Sequence, residues 1–353
     1  MFRILIINLG TTSTKVSYYE DELCVLKDNL PHPLEETQKY FNPLDQYEYR
    51  KTAIENFLKK NDLRVEQLDA VISRGGNTEP TQSGVYRVTP KMLEQQASGL
   101  YGRHAADLGT KIAYEFSTRG PLALTADTPM TDEMEPFARY TGMPPIVRHS
   151  RCHALNHKAV AKRFAKDIGK PYEELNMIGV HMGGGTTIVA HKQGRMVDVN
   201  GGLEGDGPFA TDRSGSVPTG DLARLCFSGE YTFDEVRKMI NGEGGMLAHT
   251  GELDVKTVED KAKAGNEKYA EVLGAMAFQT AKEIGARATV LFGKVDAILF
   301  TGGISNSEYF VNMIKERVSF IAPIFVYPGE MEMESLANYA YLGLVGKTAL
   351  LEL

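Results

Sequence analysis

The chain has 353 residues, and 39 Lys and Arg against 46 Asp and Glu give a formal net charge of −7. That mild acidity argues against a nucleic-acid partner, which calls for a clustered basic face. A composition 42% hydrophobic and 24% charged is that of a globular chain with a sizeable core, in about two domains at this length.

Residues 3–8 read as a buried strand, and 14–19 as a second strand after the polar turn Gly10-Thr11-Thr12-Ser13. Residues 47–60 have helical spacing, with Ala53, Ile54, Phe57 and Leu58 on one face. A short strand over 69–73 ends at Arg74-Gly75-Gly76, helices follow over 91–98 and 104–116, and a strand over 121–125 runs into Asp127. Residues 152–167 are again helical. The second half then repeats the opening: strand 177–182, turn Gly183-Gly184-Gly185-Thr186-Thr187, strand 188–192, and a third strand over 196–199. This recurrence predicts an internal duplication, two unrelated hairpins being the alternative. A long helix over 270–291, a strand over 295–300 broken at Thr301-Gly302-Gly303-Ile304, a strand over 324–327 and a final helix over 333–350 complete an α/β chain.

Cys24, Cys152 and Cys226 are far apart and odd in number, which gives no disulfide framework and points to a reducing, cytoplasmic location. The four apolar residues 4–7 are too few for a signal peptide. No apolar run approaches the roughly 18 residues of a membrane span, so no membrane partner is expected.

Three glycine- or hydroxyl-rich turns follow strands directly: 10–13, 183–187 and 302–304. Backbone N–H groups bind a polyphosphate only where no Cβ obstructs the approach. One such turn is ordinary; three together favour a nucleotide. Two commoner signatures fail. Gly346-Lys347-Thr348 would need its first P-loop glycine at Tyr341, and Gly205–Ala210 lacks the strand and helix of a dinucleotide site. His153 and His157, four apart, have the spacing of a zinc peptidase, but Ala154 stands where the activating Glu would be. A structural or hydrogen-bonding pair is the reading, with zinc as the alternative.

The ordered set Asn8-Leu9-Gly10-Thr11-Thr12-Ser13-Thr14-Lys15, Asp127-Thr128-Pro129, His153-Ala154-Leu155-Asn156-His157, His181-Met182-Gly183-Gly184-Gly185, Asp212-Arg213-Ser214-Gly215 and Thr301-Gly302-Gly303-Ile304 resembles the acetate kinase family. Ser73-Arg74-Gly75-Gly76, Gly102-Arg103-His104-Ala105 and Leu203-Glu204-Gly205-Asp206-Gly207-Pro208-Phe209 resemble its butyrate-kinase branch, as do Arg74 and Gly184 where acetate kinases have His and Asn. The resemblance implies a duplicated two-domain, actin-like ATPase (ribonuclease H-like) fold, with mixed sheets flanked by helices and an interdomain cleft. Its domains would be 1–150, completed by a C-terminal helix over 337–353, and 151–336. It further implies ATP, Mg²⁺, a homodimer or larger homo-oligomer, and the reaction butyrate + ATP = butyryl phosphate + ADP by direct in-line transfer. Isobutyrate, acetate or propionate are the alternative acceptors.

A carboxylate is already ionised at neutral pH, so its phosphorylation needs positioning and charge compensation rather than a general base. The roles expected on that basis are these. Arg213 and Arg74 clamp the carboxylate and the transferring phosphoryl, and His181 donates to a γ-phosphoryl oxygen. Asp127, Asn8 and Glu332, or Glu334 in place of Glu332, position Mg²⁺. Asn8, Thr11, Ser13, Lys15, Gly183, Gly184, Gly185, Gly302 and Gly303 bind ATP, while Arg74, His104 and His153 contact the acid. Plainer readings exist: Arg213 or Arg74 as structural ion-pair residues, Asp127 as a helix cap, His104 as a helix start. The rival classes are a sugar kinase and a non-enzymatic ATP-binding scaffold.

Overall fold

A computed structural model describes residues 1–10, 12–40 and 42–353, which divide into two compact units, 1–132 with 331–353, and 133–330. In the first unit, β1 (Arg3–Leu9), β2 (Ser13–Glu20) and β3 (Leu23–Pro31) form an antiparallel meander. β4 (Ala70–Ser73) runs parallel to β1; β5 (Val85–Arg87) pairs antiparallel with β6 (Leu122–Ala126), which is itself parallel to β4. The second unit repeats this plan. β7 (Asn176–Met182), β8 (Thr186–Lys192) and β9 (Arg195–Val199) form the meander, β10 (Ala297–Gly302) lies parallel to β7, and β11 (Ile324–Pro328) parallel to β10. The five-strand orders β3-β2-β1-β4-β6 and β9-β8-β7-β10-β11 correspond strand for strand, which is the duplication that the recurring turns predict.

Strands at the centre of such sheets are covered on both faces and read as unbroken apolar runs. Ile4 to Ile7 are fully buried, and the helices Tyr47–Lys60 and Asp107–Ser117 supply Ile54, Phe57, Ile112 and Phe116 to the core that Leu5 and Ile7 enter from one face. In the second unit the long helix Glu267–Val290 packs Leu273, Met276 and Ile284 against Ile178, Val180 and Ile188. The parallel registers bring strand ends together: Ile7 pairs with Ser73 and Ser73 with Thr125, so Asn8, Arg74 and Asp127 all emerge at one carboxyl edge. His181 pairs with Thr301, and Thr301 with Tyr327, at the corresponding edge of the second unit. Ligands of α/β sheets bind at such edges.

Several expectations are corrected. Residues 133–150 belong to the second unit and 331–336 to the first, because Glu135 donates its N–H to Val197 O and Arg148 bonds Asp198 and Val199. The helix assigned to 104–116 starts at Asp107, and that assigned to 152–167 at Ala154. The last helix spans Glu332–Leu344, not 333–350. It stops where Gly346 takes φ +71° and Lys347 donates back to Leu342 O, and β12 (Leu350–Leu351) then pairs with β5.

In the second unit Asp198 is buried between two arginines. Its Oδ2 accepts from Arg287 Nη1 at 2.8 Å and its Oδ1 from Arg148 Nη1 at 3.1 Å, while Arg287 Nε donates to Ile188 O. Asp198→Ala removes the carboxylate that the two guanidinium groups share, leaving Arg287 with Glu283 and Arg148 with Asp206, and should destabilise the protein by about 1–3 kcal/mol. Urea denaturation reads this directly, and a loss well under 1 kcal/mol would contradict the assigned network.

Candidate active site

In the first unit the carboxyl edge carries a connected polar group. Asn8, at the end of β1, donates Nδ2 to Glu332 Oε2 at 2.7 Å, and Arg74 Nε lies 3.5 Å from Glu332 Oε1. Glu332 begins the last helix and is 4% exposed, whereas Glu334 faces solvent. Of the two glutamates, Glu332 is the one that meets Asn8 and Arg74. Asp127 is engaged on both carboxylate oxygens: Oδ1 accepts from Ser83 Oγ at 2.7 Å and Gly84 N–H at 3.0 Å, and Oδ2 from the Tyr339 hydroxyl. No helix starts there, so Asp127 is an anchor for the loop before β5 and the last helix, not a helix cap.

The first glycine turn is closed by Gly10 N–H donating to Ser13 O at 2.9 Å. Arg50, fully buried on the helix Tyr47–Lys60, donates to Gly10 O at 2.8 Å and to Gln46 Oε1. Lys15 is exposed on β2 directly opposite Asn8, hence on the same face. Thr11 lies outside the described residues. His104 is exposed and forms the helix entry: its N–H donates to Asp107 Oδ2 at 2.8 Å and its Nδ1 accepts from Ala106 N–H at 3.1 Å. Asp107 Oδ1 accepts from Asn77 N–H, tying the loop after Arg74 to that of His104, and burial pushes the Asp107 carboxyl up to about 6. Arg50 and Asp107, which brace these loops, carry no sequence signature of their own.

In the second unit His181 ends β7, with its ring stacked on His153 at 3.9 Å between centroids. His153 Nδ1 and His157 Nε2 both lie 2.9 Å from Thr187 Oγ1. The two histidines of the helical pair therefore share a hydroxyl. Among the described residues no cluster of three or more His, Cys, Asp or Glu is arranged to hold a metal.

Arg213 lies across the Gly183–Gly185 turn. Its Nη1 donates to Gly202 O at 2.5 Å, and a Cβ on Gly185 would come within 1.8 Å of that nitrogen. Arg213 Nε makes no hydrogen bond and stands 3.6 Å from Asp212 Oδ1, which makes none either. Burial lowers the guanidinium pKa from its ordinary value, with Asp212 opposing. Gly302 takes φ +88° and is packed against the Met182 backbone, where a Cβ would meet the carbonyl oxygen at 2.3 Å. The turns after β7 and β10 are thereby held side by side. Gly183, Gly184 and Gly303 line one cavity of about 400 Å³ with Thr211, Asp254, Lys256 and Asn306, a volume suited to a small-molecule ligand. Arg74 and His104 belong to the first unit and His153 to the second.

The acetokinase family model matches residues 140–324. Butyrate kinase 1 of Clostridium acetobutylicum is 49% identical over 96% of this chain and 96% of its own length. The chain belongs to the acetokinase family. Butyrate kinase 2 of the same organism is 45% identical over 96% of this chain and 95% of its own. Among solved structures, the acetate kinase of Porphyromonas gingivalis superposes with a TM-score of 0.78 at 20% identity, covering 98% of this chain and all of that one. The acetokinase fold is thus the fold of this chain, as the resemblance of its motifs implies.

The histidine cluster gives this family member a pH signature. His191, bonded through Nδ1 to the Tyr172 hydroxyl, is pushed down to about 3 by burial, and burial holds His157 well below the ordinary imidazole value. Unfolded, both titrate near 6.5. Below that pH the unfolded chain binds protons that the folded one refuses, so stability present above pH 6.5 is lost as pH falls. Each histidine contributes about half of 1.4 kcal/mol per pH unit at pH 6.5 and approaches that full slope only well below it. Asp107, raised to about 6, works in the opposite sense, losing stability as pH rises from roughly 4 to 6. Urea denaturation should therefore show stability falling as pH drops from about 7 to 5, the histidine slopes steepening below pH 6.5 and Asp107 offsetting part of them; a flat profile over that range would contradict the buried neutral pair.

Proposed function

We propose that this protein phosphorylates a short-chain carboxylate, with butyrate as acceptor: butyrate + ATP = butyryl phosphate + ADP. The observation that carries the reading is Arg213 lying half-buried on the Gly183–Gly185 turn with its Nε unbonded. A permanent charge with an open donor at a phosphate-type turn suits an anion meeting an anion. The naming of relatives 49% and 45% identical as butyrate kinases supports the acceptor class.

The division of labour follows from the chemistry. Gly183, Gly184, Gly185, Gly302 and Gly303 admit the nucleotide close to the backbone, in the cavity that Gly183, Gly184 and Gly303 line. Asn8, Thr11, Ser13 and Lys15 supply donors to its phosphates. Arg213 and Arg74 compensate charge on the carboxylate and the moving phosphoryl, His181 donates to a γ-phosphoryl oxygen, and His153 and His104 contact the acid. One carboxylate oxygen attacks phosphorus as the bond to the β-phosphate oxygen breaks, so no proton changes hands. A sugar hydroxyl would need a base, and Asp127 has both oxygens committed to Ser83, Gly84 and Tyr339.

Mg²⁺ fits the donor set. Asn8 keeps its amide oxygen while Nδ2 holds Glu332, and Glu332 is a buried hard-oxygen donor. Two such donors suit an ion that takes its remaining positions from waters and phosphates, and Asp127 would reach it through water. The ion would neutralise charge on the β- and γ-phosphate oxygens. The same reading has the protein acting in the cytoplasm as a homodimer or larger assembly. Free cysteines support the first, and the exposed apolar residues Phe137, Tyr140, Met143 and Ile146 support the second.

ATP-dependent acyl hydroxamate formation with acetate, propionate, butyrate, isobutyrate and valerate tests the reading. A maximum at butyrate is expected, together with dependence on Mg²⁺ and a loss of about 10²-fold or more in kcat for a folded Arg213→Ala. A maximum at acetate or isobutyrate would replace the acceptor. Silence with every acid from folded, ATP-binding protein would overturn the reaction.

A further inference from the structure

The tautomer of His181 can be read from a chain of hydrogen bonds in the second unit. Gly329 O only accepts, so the Thr301 hydroxyl, 3.0 Å away, donates to it. Thr301 Oγ1 then accepts from the side-chain amide of Asn156 at 3.1 Å, which fixes the amide nitrogen, not the oxygen, on that side. The same Nδ2 lies 2.8 Å from His181 Nδ1. An amide nitrogen carries two hydrogens and no acceptor, so the second hydrogen goes to His181 and Nδ1 carries no proton. A ring without a proton on Nδ1 holds its one N–H at Nε2. That nitrogen faces the glycine turn, 3.6 Å from where a Cβ of Gly183 would stand.

We infer that Asn156 is a positioning residue: through Thr301 and Gly329 it locks His181 in the Nε2–H form and presents that N–H to the Gly183–Gly185 turn. The surroundings support a locked ring. His181 and Asn156 are buried, the stacked His153 ring covers one face at 3.9 Å, and Nδ1 cannot gain a proton without setting two donors against each other. The amide works by imposing one hydrogen pattern, since a carboxylate of the same shape would impose the reverse.

The consequence for turnover rests on the proposed role of His181 as a phosphoryl donor; the tautomer itself does not. The test is therefore made on two readouts. Full-length protein labelled with ¹⁵N-histidine is measured at about pH 8, above the ordinary imidazole range, with His181→Gln identifying the signal. The wild-type His181 should show a pyridine-type Nδ1 and a pyrrole-type Nε2. Asn156→Asp, which can only accept, should convert Nδ1 to the pyrrole type. Its kcat should fall about 10²-fold, as for removal of one transition-state donor, with KM for ATP little changed. A pyrrole-type Nδ1 in the wild type, or an unchanged spectrum in the folded variant, overturns the inference. A converted spectrum with undiminished kcat supports the lock and overturns the donor role of His181.

Discussion

The structure depends on how closely a backbone can be approached where a side chain is missing. At Gly185 a guanidinium lies where a Cβ would be, 1.8 Å from Arg213 Nη1, and at Gly302 the backbone of Met182 fills the equivalent space. The two cases differ in kind. The Gly302 contact is backbone on backbone and fixes the relation of β7 to β10 at their ends, so it belongs to the fold. The Gly185 contact is backbone on the tip of a flexible side chain, so it belongs to the site: the guanidinium is held on the turn because nothing there displaces it.

Both units place chemistry at the carboxyl edge of a parallel strand trio extended by an antiparallel meander. The trio in the first unit delivers Asn8, Arg74 and Asp127, joined to the last helix through Glu332 and Tyr339. That of the second delivers His181 and the two glycine turns, backed by Asn156 and His153. One plan thus yields an edge of oxygen donors with a cation and an edge of glycines with imidazoles. The duplication explains why the chemistry arises twice at the same strand positions, and divergence of the edge residues explains why the two copies differ.

How much of this the sequence discloses depends on the range of the interaction. Central strands declare themselves because burial on both faces demands unbroken apolar runs, as in Ile4-Leu5-Ile6-Ile7. The turns at Gly183 and Gly302 declare themselves because glycine is the residue that close approach requires. β3 escapes notice: it is an edge strand, largely exposed, and its Lys27-Asp28-Asn29 reads as loop. Arg50, Asp107 and Asn156 escape because each acts on a residue far off in the chain, at Gly10, Asn77 and His181, and nothing local marks the partner. The pairing of Glu332, rather than Glu334, with Asn8 at the other end of the chain is of the same type.

The central claim is that Arg213 serves transfer because it lies on a turn with no Cβ, and Gly185→Ala tests it most directly. The added methyl meets a mobile guanidinium tip, with Gly202 O no nearer than 3.1 Å, so the fold should persist and ATP should still bind by calorimetry. Butyryl hydroxamate formation should nevertheless fall by about 10²-fold or more, as expected for displacement of one transition-state donor. Turnover close to that of the wild type, from a folded Gly185→Ala protein, would contradict the account.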